Sequence, residues 1–280
     1  MADTGREAKR AAGRAKDKTE DAANSKVFER VARFGYVASG LLHVLIGAIA
    51  LRLAFGGGGE ADQSGAASSL AQRPGGLFLL WAGMLGAAAL ALWQVSEAVF
   101  GGRGRADKKK KWGYRAKCVG LAIVYGAIAV TFGSFALGSG SNSSESSQDA
   151  SAKLMQWPGG AVVLFLIGAV IMGAGVYYVF KGLTKKFLGD LKRLPPGSTG
   201  TAVTWLGIVG FVGKGLALFV LGLLLAVAAM QNDPQDVKGL DGALKALRDQ
   251  PFGSTALSVV AVGLICYGLY LGARARYAKM

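Results

Sequence analysis

"RFGYVASGLLHVLIG", residues 33–47, holds the only histidine of the chain inside one of its most apolar stretches. The phrase returns in altered form as "KWGYRAKCVGLAIVYG" from Lys111 and as "GFVGKGLALFVLG" from Gly210. Around it the 280 residues are 52% hydrophobic with 43 glycines, and the apolar residues run in blocks rather than in helical stripes. Blocks of about 20 residues match the ~30 Å hydrocarbon core of a bilayer. Six can be read, at 34–55, 76–100, 118–138, 160–180, 206–230 and 253–273. Backbone groups in lipid must be satisfied within each segment, so the blocks are helices. The alternation of a β-barrel is absent. The expectation is an all-α integral membrane protein with six transmembrane helices. The first block recurs later and has no small-residue cleavage site before a polar domain, so it reads as a permanent span rather than a signal peptide. Cys118 and Cys266 fall inside spans and read as small apolar side chains rather than a disulfide.

A formal charge of +15 raises the question of nucleic acid. Its distribution answers otherwise. The tail before residue 34 and the segments 103–117, 181–193 and 273–280 hold 25 of the 32 basic residues. The other three connections hold Arg52, Arg73, Lys153, Lys238, Lys245 and Arg248 against eight carboxylates. Alternate loops thus differ in sign, the positive-inside pattern, which places both termini in the cytoplasm. The expected partners are membrane lipids, through anionic headgroups on the cytoplasmic side; no nucleic acid is expected. Residues 1–30 carry almost no large apolar side chain and read as a charged, solvated tail. Near its end Val27, Phe28, Val31 and Phe34 share a helical face suited to the membrane surface.

With loops included, the chain divides into three copies, 31–102, 111–187 and 201–277. Each has an odd span, an external connection, and an even span opening on "LAQRPGG" (70–76), "LMQWPGG" (154–160) or "LRDQPFG" (247–253). Pro74, Pro158 and Pro251 suit the first turn of a helix, where a missing N–H costs nothing. In copy three, Val237, Leu240, Leu244 and Leu247 form an apolar stripe for a short helix on the outer surface. The stretch 139–150, "SGSNSSESSQDA", reads as a flexible external loop. Copies that begin and end on one side share an orientation, unlike inverted repeats, and a ring about a pseudo-threefold axis follows. Helices in lipid pack through small residues. The candidates are Gly35 with Ser39, Gly83 with Ala87 and Ala91, Ala169 with Gly173, and Gly268 with Gly272, together with Gly40 and Gly215, and Gly47 and Gly222, at equivalent places in copies one and three.

Three two-span copies, each with a Gly-aromatic-x-[Ala/Gly] opening and a Pro-Gly start to the second helix, resemble DUF1206. That is a bacterial membrane family whose name records an unknown function. The resemblance covers about residues 31–277; copy two departs from it, with Cys118 where Gly40 and Gly215 stand. It implies a bacterial inner-membrane location and supplies no catalytic residues.

Ionisable groups inside a membrane are functional candidates by default. His43 lies near the middle of span one, where an imidazole can relay a proton, hold a ligand, or make an interhelical hydrogen bond. Its repeat equivalents Leu121 and Leu218 are apolar, so the scaffold does not require it. Lys214, aligned with Ser39 and Lys117, falls one or two turns inside the cytoplasmic boundary, within snorkelling reach. Glu97 sits at comparable depth and invites an ion pair with Lys214. Ser39 and His43 share a face, yet the Gly-x-Ser-Gly motif of rhomboid proteases is missing. So are a metal-ligand set, a phosphate loop and a dinucleotide fingerprint. No cofactor or enzyme activity is expected. The leading expectation is a scaffold or accessory protein that binds partners or anionic lipid. The runner-up is a small-solute or ion transporter with a site on the axis near His43, Glu97 and Lys214.

Overall fold

The structure, a computed structural model, describes residues 26–100, 108–140, 143–192, 194, 196–233, 237 and 239–278. The charged tail before residue 26 and the basic residues of 103–107 lie outside the described residues, as do the side chains of Val27, Phe28, Val31 and Phe34.

Each copy folds as a long helix, a short helix and a long helix. Copy one holds α1 (Lys26–Ala54), α2 (Gln63–Ala71) and α3 (Gly76–Phe100). Copy two holds α4 (Lys108–Ala136), α5 (Ser143–Met155) and α6 (Gly160–Leu183). After a 3-10 turn, Lys186–Asp190, copy three holds α7 (Ser198–Gln231), α8 (Gly239–Arg248) and α9 (Gly253–Tyr277). The six long helices are long and apolar enough to cross a membrane. Among the described residues the only β pairing is an isolated bridge between Leu191 and Ala278. The protein is an all-α, six-span membrane protein of three repeats.

Two sequence expectations change. The fifth helix begins at Ser198 rather than at 206, and its 34 residues, about 51 Å at 1.5 Å per residue, exceed the ~30 Å thickness of the hydrocarbon. The supposed loop at 139–150 is largely helical: α5 has Glu145 in its first turn and Lys153 in its last. Those charges suit the two ends of the helix dipole.

The three Pro openings share one geometry, and it differs from the expected one. Pro158 precedes the helix N-cap Gly159 instead of lying in the first turn. In each copy a hydrogen bond closes a four-residue turn: Gly76 N to Arg73 O, Gly160 N to Trp157 O, and Gly253 N to Gln250 O. The third turn residue has positive φ: Gly75 at 77°, Gly159 at 84° and Phe252 at 61°. Proline second and left-handed backbone third define a type II turn. The fourth position admits only glycine for a separate reason. A Cβ there would fall within 2.2 Å of a carbonyl oxygen, from Leu70, Leu154 or Arg248.

Packing does not follow the repeat boundaries. The most extensive contacts join the last helix of one copy to the first of the next: α3 to α4, α6 to α7, and α9 back to α1. Within a copy, only α7 and α9 pack closely, where Gly213 and Gly263 meet backbone to backbone. α9 thus packs back on α1, but α4 and α6 do not meet in the same way, so the expected ring is open between them and burial is uneven. Half of the apolar window of α9 (50%) is buried, against 17% for α4. The short helices cover one end of the bundle. There the Asp241 carboxylate of α8 accepts from the Ala61 N–H at 2.8 Å, tying copy three to copy one.

The small residues expected at these seams are only partly the ones used. Gly40 lies against the Gly268 carbonyl, and Gly47 against that of Ala261. Gly215 meets Gly175, and Gly222 meets Gly168. Gly83 makes room for the ring of Phe132. Nothing lies within 4 Å of where a Cβ would stand on Gly35, Gly173 or Gly272. The α6 seam uses Gly168 and Gly175, on a face that the expected pair Ala169 and Gly173 does not share.

Candidate functional site

The polar residues singled out in the sequence separate into two places. The ion pair that Glu97 and Lys214 invite by charge and depth is not formed. Glu97 accepts a hydrogen bond from the Tyr114 hydroxyl across the α3/α4 seam. Lys214 points its ammonium at two aromatic faces instead, 4.3 Å from the Tyr267 ring centroid and 5.2 Å from that of Tyr178. The two partners belong to α9 and α6, so Lys214 of α7 sits where three helices meet. His43 of α1 approaches the same Tyr267 ring edge-on, with centroids 4.9 Å apart. Its Nδ1 donates to the Ser39 carbonyl oxygen at 2.7 Å, leaving the Ser39 hydroxyl out of the contact. His43, Ser39 and Lys214 are thus brought together, and Glu97 is not.

Depth follows from helix rise. Lys214 lies 17 residues from Gln231, about 25 Å at 1.5 Å per residue. His43 lies 11 residues from Ala54, about 16 Å by the same rise. Lys214 is also 16 residues from Ser198, so it stands at the middle of α7; the end of the bundle where α1 starts and α9 stops is here called the terminal end.

Below Lys214 an aromatic stack fills that end. Phe211 lies 5.2 Å from both Phe187 and Tyr267 and 5.7 Å from Tyr178. Phe187, carried on the 3-10 turn, is fully buried beside Gly207, whose missing Cβ makes its space. Three further ionised groups border the stack. Lys181 binds Asp190 at 2.8 Å and Arg274 binds the same carboxylate oxygen at 3.4 Å. Arg274 also lies over the Tyr36 ring at 4.8 Å, and its Nε is buried without a hydrogen-bond partner. Asp190 is thus already shared by two cations. Among the described residues, Lys214 has no carboxylate partner.

Sequence reasoning found His43 and Lys214 and missed Tyr36, Tyr178, Tyr267, Lys181, Asp190 and Arg274. Aromatic and basic residues near span ends are the ordinary furniture of a membrane interface, so nothing in the sequence distinguished these from a lipid-facing belt. Two surface cavities lie elsewhere. One, of about 430 Å³, is lined by Arg52, Glu60, Ser68 and Phe135 among others. Another, of about 360 Å³, is lined by Lys185, Thr201, Thr204 and Trp205 among others. No group of three or more metal-ligating side chains forms among the described residues.

Six membrane-length helices in three like copies, with a cation–aromatic cluster inside, define the class: a multi-pass helical membrane protein built by triplication. The comparisons place it further. The family model "Domain of Unknown Function (DUF1206)" matches three times, at residues 34–101, 116–185 and 209–278. The chain belongs to the DUF1206 family. It is also similar to "Uncharacterized protein YxxB" of Bacillus subtilis (strain 168), with 30% identity over 253 residues, covering 90% of this chain and 92% of the relative. No solved structure matches.

Proposed function

We propose that this is a non-enzymatic protein of the bacterial inner membrane, with both termini in the cytoplasm, that acts as a scaffold or accessory factor by holding anionic lipid headgroups, and through them partners, at its terminal end. One observation carries the reading. Lys185, Lys186, Lys192 and Arg276 are exposed together at that end. A main-chain hydrogen bond from Lys192 N to Tyr277 O and the Leu191–Ala278 bridge hold the two segments side by side. The carboxylate nearest to them, Asp190, is engaged by Lys181 and Arg274. What remains outward is positive, and each such residue near an anionic surface contributes about 1 kcal/mol. The non-enzymatic reading is supported by the serine–histidine geometry: an imidazole bonded to a main-chain carbonyl is not poised to activate a hydroxyl.

The test is lipid retention. Full-length protein extracted from mixed phosphatidylglycerol–phosphatidylcholine membranes should carry an excess of phosphatidylglycerol. Replacing Lys185, Lys186, Lys192 and Arg276 with Gln should remove most of that excess. Equal enrichment in the substituted protein would contradict the reading. The transport reading is favoured by the polar groups around Lys214, which the surface cations do not explain.

A further inference from the structure

We propose that Lys214, with Tyr178, Tyr267 and His43, forms an interior binding site for a phosphate-type oxyanion, distinct from the surface cations and not dependent on them.

The argument begins with cost. A lysine in the hydrocarbon half of a span is expensive and survives when it pairs, snorkels or serves a ligand. Lys214 does not pair with a carboxylate. Nor is it free at the surface: it is largely buried and held over two rings from different helices. Cation–π contact supplies up to about 2 kcal/mol when desolvated, and it leaves the ammonium's hydrogen-bond donors unused.

The surroundings repeat that pattern of unused donors. The hydroxyls of Tyr36, Tyr125, Tyr178 and Tyr267 make no hydrogen bond among the described residues, whereas Tyr270 donates to the Phe187 carbonyl. An interior normally satisfies its polar groups. Here the Lys214 ammonium and the rings of Tyr178 and Tyr267 meet from three helices with no carboxylate among them, and beside them the Nε of Arg274 is buried without a partner. Charge points the same way: the one carboxylate bordering the stack, Asp190, is taken by Lys181 and Arg274, and Lys214 is left over the rings. The missing partner is an anion rich in acceptors. A phosphate group has that chemistry, whether as a free ion or as a lipid headgroup.

The repeat supplies the control. Lys117 holds the place of Lys214 in copy two, but it is exposed and makes no such contacts.

The experiment uses full-length protein in a phosphate-free glycoside detergent and reads the thermal midpoint. Inorganic phosphate is titrated against sodium chloride of matched ionic strength, and phosphatidylglycerol against phosphatidylcholine. The expected result is a saturable rise of about 2–4 °C in one arm. A rise with inorganic phosphate identifies a free oxyanion, and a rise with phosphatidylglycerol alone identifies a headgroup. Either supports the site. Lys214→Met should fold, with an unchanged or higher midpoint without ligand, and should lose the response. Lys214→Arg and Lys117→Met should keep it. The proposal is overturned if neither arm moves the midpoint beyond its control, or if the response survives Lys214→Met. The protein with Gln at Lys185, Lys186, Lys192 and Arg276 separates the two ideas. It should retain the Lys214-dependent rise even if surface enrichment of lipid is lost, and loss of that rise would also overturn the site.

Discussion

The α6/α7 seam and the α3/α4 seam occupy equivalent places in the repeat and are built in opposite ways. In the first, Gly175 faces Gly215 and Gly168 faces Gly222, each glycine within 2.8 Å of backbone if given a Cβ. The α1/α9 seam repeats this with Gly40, Gly268 and Gly47. In the α3/α4 seam the equivalent positions are Ala91, Cys118, Met84 and Tyr125. There the fit comes from side chains in hollows: Phe132 over Gly83 and Met84 over Gly133. Backbones in direct contact fix both distance and register, while side chains in hollows can readjust. The difference explains why α1, α9, α7 and α6 form one continuous wall, and why α3 and α4 lean on it mainly through α2 at the outer end.

The largest expected effect lies in the tight seam. Gly215→Ala places a methyl 2.6 Å from the Gly175 oxygen, and overpacking of this kind costs about 1–3 kcal/mol. Copy two already tolerates a cysteine at the matching position, so an unchanged unfolding midpoint for Gly215→Ala would erase the contrast between seams. Next comes the outer tie. Asp241→Ala orphans the Ala61 N–H and removes the 2.6 Å contact with Lys245, at a cost of about 2 kcal/mol. If amide exchange near Ala61 does not quicken, the tie is not closing copy three on copy one.

The turns offer a change of the opposite sign. Phe252 is 90% exposed and holds a left-handed backbone that its counterparts fill with glycine. Phe252→Gly should gain about 1 kcal/mol, read as a higher thermal midpoint. A loss would mean that the ring is held by something outside the chain. The smallest effect is Gly173→Ala, in open space on the same helix as Gly175. It should stabilise by roughly 0.5–1 kcal/mol. A large loss there would mean that α6 presents another face to its neighbour.

The six spans and the triplication were plain in the sequence because hydrocarbon thickness and repetition both act on long windows. Contacts were harder to see because they depend on helix rotation. Gly173 and Gly175 look alike in a list of small residues, yet two positions turn one outward and the other onto Gly215. Glu97 and Lys214 were opposite in charge and similar in depth, but their neighbours separate them: Glu97 faces α4, and Lys214 faces α6 and α9. The Pro-x-Gly motif was visible three times. Its reason was not, because a forbidden Cβ beside the Leu70 or Leu154 oxygen exists only after the turn has formed.

The central claim is that copies join last helix to first, closing through α9 on α1. It is tested most directly by a short thiol cross-linker between Tyr36→Cys and Arg274→Cys, residues in ring contact at 4.8 Å, with Cys118 and Cys266 replaced by Ala and a protease site inserted between residues 102 and 107. After cleavage, denaturing electrophoresis should show the two fragments still joined. Two separate fragments, despite modification of both thiols, would contradict the closure.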